Sequence, residues 1–390
     1  MTIGWELHLR HYGRDGSLKN GHIAPLSAHY TNSLDADEPL RFTLNATTYT
    51  ELESIAEFDI VEVMIRNKAL GVQSATGGFV RDFVGIVRGS NPDRFTDDGE
   101  QTVLTWFAPE QKHVLSWREV LWYAGYDNRS VFDDQPAETV AKTLINYNCT
   151  TLATVANGRW REGDLAASMQ IDLDVEADAA GGNNVSLPLL GANLLDALFK
   201  VCELGGDYYN IAWQGGSLGG AHEFALTWGR GSDKSSGANR VLFSLENNTM
   251  KRPRRRYRYA TGTTAIAAGQ NEGANRDTTA VNSNAYAATN DIELFVDARN
   301  SDTENGRTGQ GQAALKKTEE VSELDFTVLQ TGDVFYSPVS VAGRSTYHVG
   351  DRGLAVYGDE ETRRIRSATV DWSAGGGDLL TVEVETELWS

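Results

Sequence analysis

Alternation of apolar and polar residues with a period of two dominates this 390-residue chain and constrains its fold more than any other feature. Successive side chains of a strand point to opposite faces, so this alternation predicts strands. Val61, Val63 and Ile65 would share one face of a strand over residues 59–66, whose other face is partly apolar. Such a strand suits a small closed barrel with a covered outer wall. The strands predicted in the first hundred residues are Trp5 to Arg10, Leu40 to Leu44, Phe58 to Arg66, Phe79 to Arg88 and Gln101 to Phe107.

Helix signals interrupt the strands in the middle of the chain. Asp134 followed by Pro136 predicts an acidic N-cap with proline in the first turn, and then a helix from Ala137 to Asn146. A second helix is predicted to start at Asn193 and to end at the glycine pair 205–206. These signals indicate an α+β region between two β-rich ends.

The balance of charges is strongly acidic. The net charge is -19, with 9 Lys and 26 Arg against 54 Asp and Glu. Such a chain would repel nucleic-acid phosphates, which argues against wholesale coating of DNA or RNA. Scarce lysine beside abundant carboxylates is also expected of a protein from a halophilic host, such as a haloarchaeon. An ordinary acidic protein is the equally weighted alternative.

The salt dependence of thermal stability distinguishes these alternatives. At a net charge of -19 the folded chain repels itself, and molar salt shortens the screening length from about 10 Å at 0.1 M to about 3 Å. We therefore expect the melting temperature to rise between 0.1 M and molar KCl, as measured by differential scanning fluorimetry. A flat response would contradict the halophilic interpretation.

Few residues are spaced as catalytic or metal-binding groups. Cys149 and Cys202 lack the spacing of a zinc site and are predicted to be buried thiols. The seven histidines form no HExxH pair, and no P-loop occurs. The carboxylates between Ile171 and Asp178 alternate along one strand face, which we interpret as a solvated surface rather than a calcium site. We expect no enzymatic activity, no cofactor and no membrane insertion.

One dense cationic run stands out in this acidic chain. It contains Arg252, Arg254, Arg255, Arg256 and Arg258. As a strand after Pro253, it would place alternate arginines on one face, where they could pair with carboxylates of a neighbouring domain or subunit. The alternative is contact with nucleic acid in a channel. The run is thus a candidate interface or lumen surface.

The last third of the chain carries an ordered set of short signals. A glycine-rich segment is followed by an apolar strand, a helix over roughly 309–321, a tight turn and two closing strands. Gly350 supplies the backbone freedom of the turn, and Asp351 can accept hydrogen bonds from the following amides. The residues that carry this order are Gly269, Gln270, Gly273, Arg276, Asp297, Arg299, Ala313 to Val321, Gly350, Asp351, Arg364 and Ile365.

In order and spacing this set resembles the tail-hub, or baseplate-hub and tail-tip, proteins of long-tailed phages. The resemblance implies a mainly β fold with α+β insertions. It implies a first hub β-barrel over residues 1–111 and an α+β insertion with two helices over 112–250. A second hub β-barrel would span 251–390 and contain an inserted helix-bearing segment at about 291–330.

The resemblance also implies a function in the virion tail. Such a protein would form a homotrimer that caps the tail tube and joins it to tail-tip components. The implied partners are a distal tail protein or tail-tube ring, the C-terminus of the tape-measure protein, and a tail fibre or spike. Genome DNA would pass through the central channel without specific binding. The alternatives are a receptor- or carbohydrate-binding tail protein and a tail-associated cell-wall hydrolase.

Overall fold

The computed structural model describes residues 4–45, 55–68, 78–91, 103–120, 130–154, 173–189, 191–215, 224–301, 303–330, 334–341, 344–374 and 380–389. Strands dominate these residues, with a few helices among them, so the prediction of a mainly β protein is confirmed. None of the helices in this part of the chain is long and apolar enough to cross a bilayer.

Antiparallel strands form the N-terminal region. They are β1 (Trp5–Tyr12), β2 (Leu18–Ile23), β3 (Ser27–Ser33), β4 (Leu40–Asn45), β5 (Ile60–Asn67), β6 (Val80–Ile86), β7 (Gly89–Asn91) and β8 (Val103–Ala108). The middle region mixes short strands with helices. Its elements are β9 (Glu119–Val120), β10 (Ser130–Pro136), α1 (Ala137–Cys149), β11 (Leu173–Val175), β12 (Asn184–Leu189), β13 (Ala192–Asn193), α2 (Leu194–Gly205), β14 (Tyr209–Trp213), β15 (Phe224–Trp228) and β16 (Leu242–Ser244).

Longer strands and one helix form the C-terminal region. They are β17 (Met250–Arg258), β18 (Thr264–Ala268), β19 (Thr278–Asn282), β20 (Glu293–Asp297), α3 (Glu304–Thr318), β21 (Val321–Val328), β22 (Val334–Tyr336), β23 (Ser345–Tyr347), β24 (Arg352–Tyr357), β25 (Asp359–Ser373) and β26 (Leu380–Leu388).

A ten-stranded sheet joins the two ends of the chain. Its main path runs β17-β21-β26-β25-β3-β4-β8-β7, and β24 pairs with both β25 and β16. The 15-residue β25 pairs with β26 on one side, while its second half pairs antiparallel with β3, from Ser367 opposite Ser33 to Ser373 opposite Ser27. The two β-rich ends therefore share one sheet. The predicted boundaries at 111/112 and 250/251 stay a prediction.

The smaller sheets are also open. They have the orders β2-β1-β5-β6, β11-β15-β14 and β19-β18-β20, alongside two-stranded ladders. A barrel closes only when its first and last strands pair. In the described residues the terminal strands of the main path, β17 and β7, do not pair with each other. The closed barrels expected from the sequence are therefore not observed in this part of the chain.

One hydrophobic core extends through most of the described chain. Leu9 and Val63 from the N-terminal strands, Leu198 from α2 and Phe326 and Val384 from the C-terminal strands all belong to it and are 2% exposed or less. Burial of such side chains is the main favourable term in folding. Cys149 and Cys202 are buried thiols, as predicted, and burial raises the pKa of the Cys202 thiol to about 12.

The α1 helix begins without the side-chain cap predicted for it. The N-cap of α1 is Pro136, without a side-chain cap, because β10 continues to that residue and Asp134 lies at an irregularity of the strand. The acidic N-cap was therefore wrong. Glu138 in the first turn instead accepts hydrogen bonds from the backbone N–H groups of Ala179 and Gly181, at 3.2 and 2.6 Å.

The other two helices are set by side-chain caps. The predicted start of α2 at Asn193 is confirmed, since its side chain accepts from the Leu195 N–H at 3.1 Å, and Gly206 ends the helix at φ +77°. The third helix, α3, starts at Glu304, five residues before the predicted start. The Thr303 hydroxyl caps it by accepting from the Gly306 N–H at 3.0 Å.

Acid should weaken the fold through His8 on β1. His8 is 5% exposed, and its ring packs against His22 and Phe79. Burial, reinforced by the charges of His22 and Arg10, lowers the pKa of His8 to about 4 from 6.5. The unfolded chain therefore binds the proton first, and stability is lost as pH falls from 6.5 towards 4.

The variant His8→Phe cannot take up this proton. We therefore expect the native chain to lose up to about 3 kcal/mol more unfolding free energy than His8→Phe over this pH interval. Urea unfolding at pH 7.5 and pH 4.5 measures the difference, and the pH 7.5 values isolate any change in packing. Equal pH dependence of the two proteins would contradict the prediction.

Candidate interface: an arginine-rich edge strand and a glycine turn

The predicted arginine run forms β17 at one end of the large sheet. Within the described residues β17 pairs with β21 alone. The register of this pair shifts between Lys251 and Arg254, and Arg252 adopts a φ of +52°. Pro253 lies at the shift, and a proline is tolerated there because it lacks the N–H that a regular ladder requires. All five arginines of the run are exposed.

The arginines of β17 meet carboxylates of their own chain. Arg256 contacts Asp325 at 2.8 Å and Glu323 at 3.6 Å on the neighbouring strand β21. Arg254 lies opposite Asp325, and Arg258 donates to the backbone carbonyl of Lys317 at 3.3 Å. Burial raises the pKa of Asp325, while Arg256 and Arg254 oppose that shift. This face therefore alternates in charge between β17 and β21.

On the other face of β17, Arg255 takes part in a three-residue ionic bridge. It donates to Glu361 at 3.0 Å, and Glu361 also pairs with Arg363 at 2.8 Å. Arg363 is 1% exposed and donates to the Ser322 carbonyl at 3.0 Å. A buried cation is tolerated only when it is paired and hydrogen-bonded in this way. The bridge ties β17, β21 and β25 together.

Two aromatic rings extend the exposed surface of the run. Tyr257 is 50% exposed and Tyr259 is 75% exposed, and their ring centroids lie 4.9 Å apart. Aromatic and arginine side chains are the types enriched at protein interfaces. The assignment of the run as an interface or lumen surface stays a prediction, since its observed carboxylate partners lie in the same chain.

Gly350 and Asp351 form a tight connection with the loop that follows β15. The φ of Gly350 is +94°, and a Cβ there would lie 2.6 Å from the carbonyl oxygen of Arg230. Asp351 is 5% exposed and accepts from the N–H groups of Ser232 and His348, at 2.8 and 2.9 Å. Lys234 completes the set with a 2.7 Å ion pair to Asp351. The turn thus fastens the middle region to β24.

The glycine-rich segment and the Asp-x-Arg strand meet in the folded chain. Arg276 donates to the Gly269 carbonyl at 2.9 Å and pairs with Asp297 at 2.6 Å. Asp297 also binds Arg299, and these arginines, Arg299 foremost, lower the pKa of Asp297 to about 2. The spacing of this motif is therefore explained by a structural cluster at the ends of β18 and β20.

A polar cleft of about 460 Å³ lies beside the glycine turn. Asp82 is on its wall with a fully buried side chain, and it accepts from the Tyr30 hydroxyl at 2.5 Å. His348 approaches the other oxygen of Asp82 at 3.2 Å. Each oxygen of the Asp82 carboxylate thus has a partner. The two contacts hold β3, β6 and the 348–351 turn together. The cleft is a junction of all three chain regions.

Three residues of the acidic stretch at 171–178 form the edge strand β11 (Leu173–Val175). Ile171 and Asp172 lie outside the described residues, and β11 follows them with Asp174 exposed. Asp178 accepts from the Thr139 hydroxyl at 2.7 Å, and Glu176 pairs with Lys142 at 3.3 Å. Across the described residues, no three His, Cys, Asp or Glu side chains are grouped to hold a metal ion.

A Gly-x-Ser-x-Gly spacing from Gly215 to Gly219 was missed in the sequence. It lies between β14 and β15, which pair antiparallel as a hairpin. A hydrolase nucleophile elbow requires a strand followed by a helix. Residues 216–223 lie outside the described part of the chain, but the flanking hairpin does not provide that context.

The Gly350 turn can be tested with a matched pair of glycines. Gly350→Ala combines a left-handed backbone with a clash against the Arg230 carbonyl, whereas Gly237→Ala has a φ of +86° and open space around its Cβ. We expect Gly237→Ala to cost about 1 kcal/mol of unfolding free energy, and Gly350→Ala at least about 2 kcal/mol more. Chemical denaturation measures both. Equal losses of unfolding free energy in the two variants would show that the turn can move away from the Arg230 loop without cost.

The sequence and the fold of this chain are both similar to those of known proteins. The sequence model of the Siphovirus ReqiPepy6 Gp37-like protein family matches residues 81–384, well over half of the chain. The chain is similar to the 43 kDa tail protein of prophage MuSo2 from Shewanella oneidensis, with 12% identity and a TM-score of 0.54, covering 97% of this chain and 98% of that one.

It is also similar to the tail protein from Neisseria meningitidis MC58, with 11% identity and a TM-score of 0.52, covering 98% of this chain and 96% of that one. At such identities the similarity concerns the fold. No curated protein matches the chain.

Proposed function

Because the chain belongs to the Siphovirus ReqiPepy6 Gp37-like family of phage tail proteins, we propose that it is a structural subunit of the virion tail that assembles as a homotrimeric hub. In this proposal the hub caps the tail tube and joins it to the tail-tip or fibre components. The family match over residues 81–384 is the observation that carries the proposal.

The large sheet supports a mechanical function. The C-terminal strands β17, β21, β26 and β25 and the N-terminal strands β3, β4, β8 and β7 lie side by side in one sheet, joined by the β25–β3 pair. The two ends therefore cannot separate without breaking backbone hydrogen bonds. A subunit that transmits force between a tube and a tip needs such a rigid frame. In the proposed assembly, residues 1–111 and 251–390 are the two β-rich units that this sheet joins.

The net charge of -19 supports passage of DNA through the ring. An acidic channel wall repels phosphates, so that the genome can slide past without being retained after the tape-measure protein has left the channel. The proposed neighbours are a distal tail protein or tail-tube ring on one side and a fibre or spike on the other. The described contacts involve carboxylates and arginines in structural pairs, which agrees with a function that requires no catalysis.

The oligomeric mass tests this proposal. Mass photometry and sedimentation velocity at both 0.15 M and 2 M KCl should show a species of about three times 42.6 kDa. Salt is varied because repulsion between acidic copies weakens as screening rises. A protein that remains monomeric at tens of micromolar in both buffers would contradict the homotrimeric hub.

A further inference from the structure

Two strands of opposite charge lie at the edges of different sheets. The arginine strand β17 ends the large sheet, and β11, which begins the acidic segment 173–178, ends the three-stranded sheet β11-β15-β14. In the described part of the chain, β17 pairs only with β21, and β11 pairs only with β15. An edge strand presents unpaired backbone N–H and C=O groups that another strand can bind.

The charges at the two edges are opposite in sign. Arg254, Arg256 and Arg258 alternate along β17, whereas β11 carries Asp174, and Glu176 and Asp178 follow its last residue, Val175. Side chains two residues apart on a strand are separated by about 6.6 Å. Opposite charges in cross-strand positions attract, and like charges repel. The two edges are therefore complementary in the sign of their charges.

Part of each charge row remains exposed to a partner. Arg254 and Arg258 have only weak contacts in their own chain: Arg254 lies opposite Asp325, and Arg258 reaches a backbone carbonyl. Asp174 is exposed on β11. Tyr257 and Tyr259, 50% and 75% exposed, adjoin the arginines and would supply apolar contact area.

We infer that β17 of one copy docks against the acidic β11 edge of a second copy. This rests on the proposed homotrimer and names the surfaces that would form it. The two surfaces are different parts of the molecule, so the contact is head-to-tail, and head-to-tail contacts close into rings when the rotation permits. A local cationic strand is also what copies with a net charge of -19 need in order to associate.

The surroundings of the arginine run favour this partner over nucleic acid. Glu323 and Asp325 lie beside Arg256 on one face, and Glu361 lies beside Arg255 on the other. A phosphate backbone approaching the run would meet these carboxylates. An acidic strand meets the same carboxylates, but it can also form backbone hydrogen bonds along the edge of β17 that faces away from β21, which a phosphate backbone cannot do.

Charge reversal and its rescue test the contact. The variants are Arg254→Glu with Arg258→Glu, Asp174→Arg, and all three changes together. Arg240→Glu is the control for the change of charge, since Arg240 is an exposed arginine in the loop before β16. Trimer dissociation is measured by sedimentation at several protein concentrations, and circular dichroism checks that each variant is folded.

We expect the concentration of half-dissociation to rise about tenfold or more in each reversed variant, to stay unchanged in Arg240→Glu, and to return to within about threefold of the native value in the combined variant. A native trimer that all variants retain would overturn this inference alone, as would loss that the combined variant does not rescue. Intact trimers with a lost salt-sensitive DNA affinity would assign the run to nucleic acid. A native protein that never forms trimers would overturn the proposed function as well.

Discussion

The pairing of β25 with β3 is the constraint on which the rest of the molecule depends. It joins residues more than 300 positions apart, from Ser367 opposite Ser33 to Ser373 opposite Ser27. Closing so long a loop costs chain entropy, which the ladder and the core beneath it must offset. Once formed, it fixes the N-terminal strands β4 and β8 and the C-terminal strands β26 and β21 in one sheet. The middle region must then fold between two ends that this sheet already holds together.

Buried charges attach the middle region to the large sheet. Lys112, 3% exposed, donates to the Ser33 carbonyl at 2.6 Å and pairs with Glu110 at 2.8 Å, which fixes the start of the middle region to β3. Asp351 fixes its end to β24 through Ser232 and the Lys234 ammonium. Removing one partner of such a pair leaves an uncompensated buried charge, which costs about 3–5 kcal/mol. These pairs therefore specify where the regions join.

The sequence predicted elements whose signals are local. The α2 helix was predicted correctly because Asn193 and Gly206 act within one turn of its ends. The strand β3 was missed because its sequence, Ser27–Ser33, is polar; its residues are buried by the sheet and not by their own hydropathy. The barrels were predicted from apolar strand faces, and those same faces are buried in the described chain by layers of open sheets. Pairing between distant strands leaves no local signal.

The candidate interface likewise combines features that are local in the sequence with contacts between distant residues. The arginine run and its face alternation were visible in the sequence, whereas Glu361 and Asp325 could not be identified as partners because they lie about 70 to 110 residues away in the chain. The fold also supplies a reason for the composition of β17. A long uncharged edge would pair with any exposed strand, and arginine and proline prevent such pairing. A cationic edge still admits a strand of matching negative charge, so the features that limit aggregation also select an acidic partner.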